Sequence, residues 1–131
     1  MKGLKNVTAY IAGEGIVKTN IGFENGKIAY IGDDDKNIES ILETDGIVVP
    51  AFIDEHIHGA GGADAMDATE EALQTISAYV AKEGTATFLA TTMTQSKENI
   101  SAALANVKKV IEKGKFKGAE VLGVHLEGPF I

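Results

Sequence analysis

The stretch Thr85-Ala86-Thr87-Phe88-Leu89-Ala90-Thr91 decides the fold class of this chain. It is β-branched and apolar, as a buried strand requires. A segment of helical periodicity stands on each side of it. Upstream, Asp67-Ala68-Thr69-Glu70 supplies capping residues, with Asp67 or Thr69 as the cap. Ala72, Leu73, Ile76, Tyr79 and Val80 follow at helical spacing, and Gly84 ends that helix. Downstream, Ser96 caps a second helix with the stripe Ile100, Ala103, Leu104, Val107, Val110 and Ile111. Lys108, Lys109 and Lys113 cluster in its last turns, where the helix dipole favours positive charge, and Gly114 ends it. Both stripes read as core.

Outward from these helices lie two more apolar runs. One is Ile47-Val48-Val49-Pro50-Ala51-Phe52-Ile53-Asp54; the other spans Val121 to Leu126. Residues beyond 50 therefore read strand, helix, strand, helix, strand. That alternation builds a parallel sheet through right-handed crossovers, either in a doubly wound sheet or in part of a closed barrel. Three strands cannot close an eight-stranded barrel. The last strand runs out at Glu127-Gly128-Pro129-Phe130-Ile131 with nothing after it to cover it, so a fragment of a longer protein is expected.

Residues 1 to about 50 follow a different pattern. Leu4 to Ile11 alternates through Val7, Ala9 and Ile11, and Ile16 to Glu24 puts Ile21 and Phe23 on one face. Glu24-Asn25-Gly26-Lys27 is a hairpin turn signal, because Asn-Gly tolerates the positive φ of a type I′ turn. Lys27 to Ile31 returns, and Asp33-Asp34-Asp35 reads as a solvated acidic turn. A small antiparallel sheet is expected here.

The 131 residues suffice for a real core, and 44% of them are hydrophobic. A formal net charge of −7 argues against a nucleic-acid partner and against adhesion to anionic membranes. The chain has no cysteine, so any metal must be held by histidines and carboxylates. The first residues lead straight into a strand rather than a signal peptide, and no apolar stretch approaches the length of a membrane span. A soluble, cytoplasmic protein is expected.

His56-Ile57-His58 is the feature that carries chemistry. Residues two apart in a strand share a face, so both imidazoles can meet one cation at the end of the run from Ile47. Two ligands do not make a stable site, and a third must come from elsewhere. Val124-His125-Leu126-Glu127 puts His125 and Glu127 on one face of the last strand, with Glu127 at its C-terminal end. Functional groups collect at that edge of parallel sheets. Glu127 is the expected third ligand, and His125 reads as a hydrogen-bonded histidine one layer deeper. Gly59-Ala60-Gly61-Gly62-Ala63-Asp64 lacks the Lys-Ser/Thr pair of a phosphate-binding P-loop. It reads as a mobile loop passing close to a metal or substrate, oriented by Asp64 and Asp67.

Pro50-Ala51-Phe52-Ile53-Asp54-Glu55-His56-Ile57-His58-Gly59 resembles the first-strand signature of the amidohydrolase superfamily. With Gly62 to Thr69, Gly84 to Thr92 and His125-Leu126-Glu127-Gly128-Pro129-Phe130, the resemblance narrows to the N-acetylglucosamine-6-phosphate deacetylases. Ala51 stands where the superfamily pattern usually has Gly. The resemblance implies an α/β fold: an incomplete (β/α)8 TIM-type barrel, of which residues 51–131 supply the first three strands. Residues 1–50 would supply strands of a small β-sandwich. It further implies that Glu127, His56 and His58 bind a divalent metal, zinc or iron, as one or two ions.

The implied reaction is metal-dependent hydrolysis of an amino sugar phosphate, N-acetylglucosamine 6-phosphate, to glucosamine 6-phosphate and acetate. The family's catalytic aspartate, two further histidine ligands and phosphate-binding groups lie later in its sequence, so these 131 residues are expected to be inactive alone. A homo-oligomer is expected. Two alternatives stay open. One is another amidohydrolase acting on a cyclic amide or a different N-acetyl sugar. The other is a non-catalytic, self-associating fragment.

Overall fold

The computed structural model describes residues 1–131, which divide into two compact units, Met1–Pro50 and Ala51–Ile131. In the first, β1 (Lys2–Ile11), β2 (Gly15–Glu24) and β3 (Lys27–Gly32) form an antiparallel meander. Its second turn is the expected one: Asn25 has φ 52° and Gly26 φ 73°, the positive pair a type I′ turn needs. Leu4, Val7, Ala9 and Ile21 form its buried cluster. A bulge between Leu4 and Val7 puts Asn6 at φ 51°, and the buried Asn20 side chain accepts from the Asn6 amide at 2.8 Å.

The sheet is mixed rather than purely antiparallel. Two short strands, β4 (Glu39–Ser40) and β5 (Ile47–Val48), pair parallel to β1 at Lys2–Gly3 and Thr8–Ala9. The edge of β1 away from β2 would otherwise present a row of unpaired backbone groups, and these segments satisfy part of it. Glu39–Ser40 carries too short a pattern to be read from sequence. Ile47-Val48, expected as the start of one apolar run to Asp54, instead pairs with β1, the run breaking at Val49-Pro50-Ala51 before strand resumes at Phe52.

The second unit begins with β6 (Phe52–Ile57) and continues through a small hairpin, β7 (Gly59–Ala60) with β8 (Ala63–Asp64). Next comes α1 (Glu70–Lys82), then β9 (Thr85–Thr91), α2 (Lys97–Lys113) and β10 (Glu120–His125). The strand order is β10-β9-β6, all parallel, so the Thr85–Thr91 stretch is the central strand. Thr69 rather than Asp67 caps α1, accepting from the Ala72 amide, and Ser96 caps α2 through the Asn99 amide. Leu73, Ile76, Val80, Phe88, Val107, Val110 and Val121 are the heart of one core between helices and sheet. Each fully buried aliphatic side chain there contributes about 1.5–3 kcal/mol over its exposed state. Tyr79, Leu104 and Ile111 lie at the margins of their stripes and remain exposed. No helix is long and apolar enough to cross a membrane.

Candidate metal centre

Parallel pairing aligns the strand ends. Ile57 of β6 lies opposite Ala90 of β9, and His125 of β10 lies opposite Thr91. His56, His58 and Glu127 therefore emerge at the same C-terminal edge. His56 Nε2 stands 2.8 Å and His58 Nε2 3.3 Å from Glu127 Oε2. The two Nε2 atoms are 3.4 Å apart, their rings meeting edge to face at 76°.

Two imidazole nitrogens and one carboxylate oxygen converging on one point form a donor set suited to a divalent ion. Ligand bonds of about 2.1 Å in a tetrahedral arrangement separate donors by roughly 3.4 Å. The separations of 3.3 and 3.4 Å fit that spacing. The third, at 2.8 Å, is a hydrogen-bond distance, and the carboxylate would open slightly to share an ion with His56. The three donors thus fit a divalent metal.

The amidohydrolase family profile matches residues 47–131, which include all three of these groups. The chain belongs to the amidohydrolase family. It is 40% identical to the N-acetylglucosamine-6-phosphate deacetylase of Bacillus subtilis (strain 168), over 98% of this chain and 34% of that protein. It is 39% identical to the N-acetylgalactosamine-6-phosphate deacetylase of Escherichia coli O157:H7, over 70% of this chain and 24% of that protein. Among solved structures, the N-acetylglucosamine-6-phosphate deacetylase of Thermotoga maritima superposes with a TM-score of 0.78 at 29% identity. That match covers 98% of this chain and 32% of that structure. The chain spans about a third of the length of such relatives.

Within this amidohydrolase chain, two of the expected ligands lie just outside regular strand. β6 ends at Ile57 and β10 at His125, so His58 and Glu127 stand on the backbone that leaves the sheet. Gly128 shapes the exit after Glu127: its φ is +84°, and a Cβ there would meet Thr94 Oγ1 at 2.5 Å. His125 is hydrogen-bonded, its Nδ1 lying 2.9 Å from the Glu55 carbonyl. A carbonyl only accepts, so Nδ1 carries the proton. The His125 ring also packs against His56 at a centroid distance of 4.4 Å.

The glycine-rich segment of this amidohydrolase is a closed hairpin rather than an open loop. Asp64 accepts from the Met66 amide at 2.8 Å, and Asp67 accepts from the Asp64 amide at 2.9 Å. That reciprocal capping closes the single helical turn Ala65–Asp67 that follows the hairpin. The sequence reading missed Thr91, at the end of β9, and Thr92, just beyond it, both buried and both bonded to the segments that carry the candidate donors. Their signal was two hydroxyls at the C-terminal end of a central strand, where apolar residues would serve packing as well.

Proposed function

We propose that this chain supplies the first part of a metal-dependent deacetylase acting on N-acetylglucosamine 6-phosphate, releasing glucosamine 6-phosphate and acetate. The convergence of His56, His58 and Glu127 at one strand edge carries this reading. The names of the similar proteins supply its substrate class. On this reading Ala51–Ile131 is the opening of a (β/α)8 barrel, and Met1–Pro50 belongs to a small β-sandwich. His56, His58 and Glu127 would hold zinc or iron, as one or two ions.

When bound, a divalent ion supplies Lewis acidity toward the amide carbonyl and acidifies water. The chain's own residues hold the donors in place. The proton on His125 Nδ1 is committed to the Glu55 carbonyl, which fixes that ring beside His56. Glu127 turns one carboxylate oxygen toward both imidazoles. The chain spans about a third of the length of the similar deacetylases. On this reading the group that protonates the departing amine belongs to the part of them it does not match, so the 131 residues alone are expected to lack activity. The same proposal includes a cytoplasmic, homo-oligomeric enzyme.

The test is an assay of the natural gene product on N-acetylglucosamine 6-phosphate, with its metal content measured. Turnover that falls by at least about 100-fold in Glu127→Gln, together with metal loss, supports the reading. Turnover of cyclic amides alone would overturn it. The similarity to an N-acetylgalactosamine-6-phosphate deacetylase favours a second reading, in which the galacto epimer is the substrate. Comparing kcat/KM for the two epimers separates them.

A further inference from the structure

The backbone ladder of the three-stranded sheet gives out where the proposed ligands begin. On one side, the last backbone bond between β9 and the β10 segment runs from the Thr92 amide to the His125 carbonyl at 3.0 Å. Beyond it the Thr92 hydroxyl takes over. It accepts from the Glu127 amide at 3.0 Å and donates to the Glu127 carbonyl at 3.1 Å. One hydroxyl thus satisfies both backbone polar groups of the glutamate. On the other side, the β6–β9 pairing is irregular between Asp54 and Ile57. There the Thr91 hydroxyl accepts from the Ile57 amide at 2.9 Å and donates to the Leu89 carbonyl at 3.3 Å. Ile57 is the residue between the two histidines.

Both threonines are buried, with 0% and 2% of their surface exposed. Water therefore cannot replace either hydroxyl, and its removal would leave buried backbone groups unpaired. A hydroxyl is the smallest group that both donates and accepts, which is what each position uses. Strand propensity alone would be met equally well by valine.

We infer that Thr91 and Thr92 are positioning residues of the metal centre. Thr92 fixes the Glu127 backbone, and Thr91 fixes the His56-Ile57-His58 backbone. The central strand, which contributes no ligand, thereby sets the distance between the ligand-bearing strands. This inference rests on the metal reading above and adds to it the groups that hold its donors in register. Groups that orient metal ligands typically change affinity by about 10–100-fold when removed.

Zinc titration of the natural gene product, against a competing chelator, tests this in the unaltered protein and in Thr92→Val, Thr92→Ser, Glu127→Gln and the Val/Gln double variant. Thr92→Val is expected to weaken zinc binding by about tenfold or more. Thr92→Ser, which keeps the hydroxyl, should stay within about threefold of the unaltered protein. In the Glu127→Gln background, Thr92→Val should have little further effect on affinity, because it acts through Glu127. Equal zinc binding by Thr92→Val and the unaltered protein would overturn the inference while leaving the metal site intact. So would an undiminished loss in the Glu127→Gln background. If Thr92→Val does not fold, a tenfold loss in a folded Thr92→Ser overturns it instead, and full retention supports it. Zinc binding by the unaltered protein no tighter than by Glu127→Gln would sink the metal reading, and this inference with it.

Discussion

Both units of this chain contain strands whose backbone groups need partners beyond the regular ladder. The open edge of β1 and the strand ends of the second unit meet the need differently, although a side chain, Asn20, also serves the Asn6 bulge of the first unit. In Met1–Pro50, the edge of β1 is closed by backbone, through the two-residue strands β4 and β5. In Ala51–Ile131, the ends of the sheet are closed by side chains, the hydroxyls of Thr91 and Thr92. Backbone closure suits a segment that only has to be held. Side-chain closure suits strands that leave the ladder to present the candidate donors. The cores differ as well. The first unit buries a cluster of four residues, Leu4, Val7, Ala9 and Ile21, whereas the second buries ten around Leu73, Ile76 and Phe88.

The largest expected effect tests the difference in cores. Phe88→Ala removes a side chain with no exposed surface from the central strand and should cost about 3–5 kcal/mol in denaturant unfolding. Ile21→Ala, in the smaller cluster, should fall near the lower end of its range, about 2 kcal/mol. Hydrogen exchange read separately in β9 and β2 assigns each loss to its unit. Equal losses would break the comparison.

A smaller effect concerns side-chain closure elsewhere in the second unit. The buried Ser77 hydroxyl donates to the Ala119 carbonyl at 2.7 Å and accepts from the Gly118 amide at 3.0 Å, tying α1 to the start of β10. Ser77→Ala strands both backbone groups, and a loss of about 1–3 kcal/mol is expected from the same unfolding measurement. Ser77→Ala behaving like a surface substitution would show that side-chain closure is dispensable here. The cap of α2 ranks next: Ser96→Ala should cost about 1 kcal/mol, seen as a lower Tm.

The smallest effects are electrostatic, and each unit carries one. A hydrogen bond from Lys113 holds the Glu70 carboxyl below the usual carboxylate range, aided by the charge of the same lysine. Asp35 is lowered in the same way by Lys5, whose ammonium lies 2.5 Å away. A pKa depressed in the folded state means that the stabilisation is present above the ordinary carboxylate range, about pH 4. It is lost as pH falls through the lowered value. Melting curves between about pH 5 and 2 should show a shallower decline in Glu70→Gln and Asp35→Asn than in the unaltered protein. Both pairs are exposed, so added salt should erase most of the difference. A steep, salt-resistant decline removed by only one substitution would sharpen the contrast between the units.

Much of the candidate site was legible in the residues themselves. The His-x-His spacing and the glutamate after an apolar run name, without any coordinates, three side chains that could hold a metal. The expected placement of His58 and Glu127 on strands was too regular, because periodicity does not report where a ladder stops. Thr91 and Thr92 were unreadable as anything but strand residues, since a hydroxyl's partner lies on a chain segment distant in sequence.

The sequence by itself determined the alternation of strands and helices in residues 51–131, the Asn25-Gly26 turn, the capping by Ser96 and which three side chains are the candidate donors. These depend on local spacing and local backbone preference, which a few neighbouring residues suffice to express. Tertiary structure alone decided the strand order β10-β9-β6, the parallel edge of β1 and the distance between Glu127 and the two histidines. Those depend on which backbone groups of remote segments satisfy one another, and no local pattern encodes that pairing.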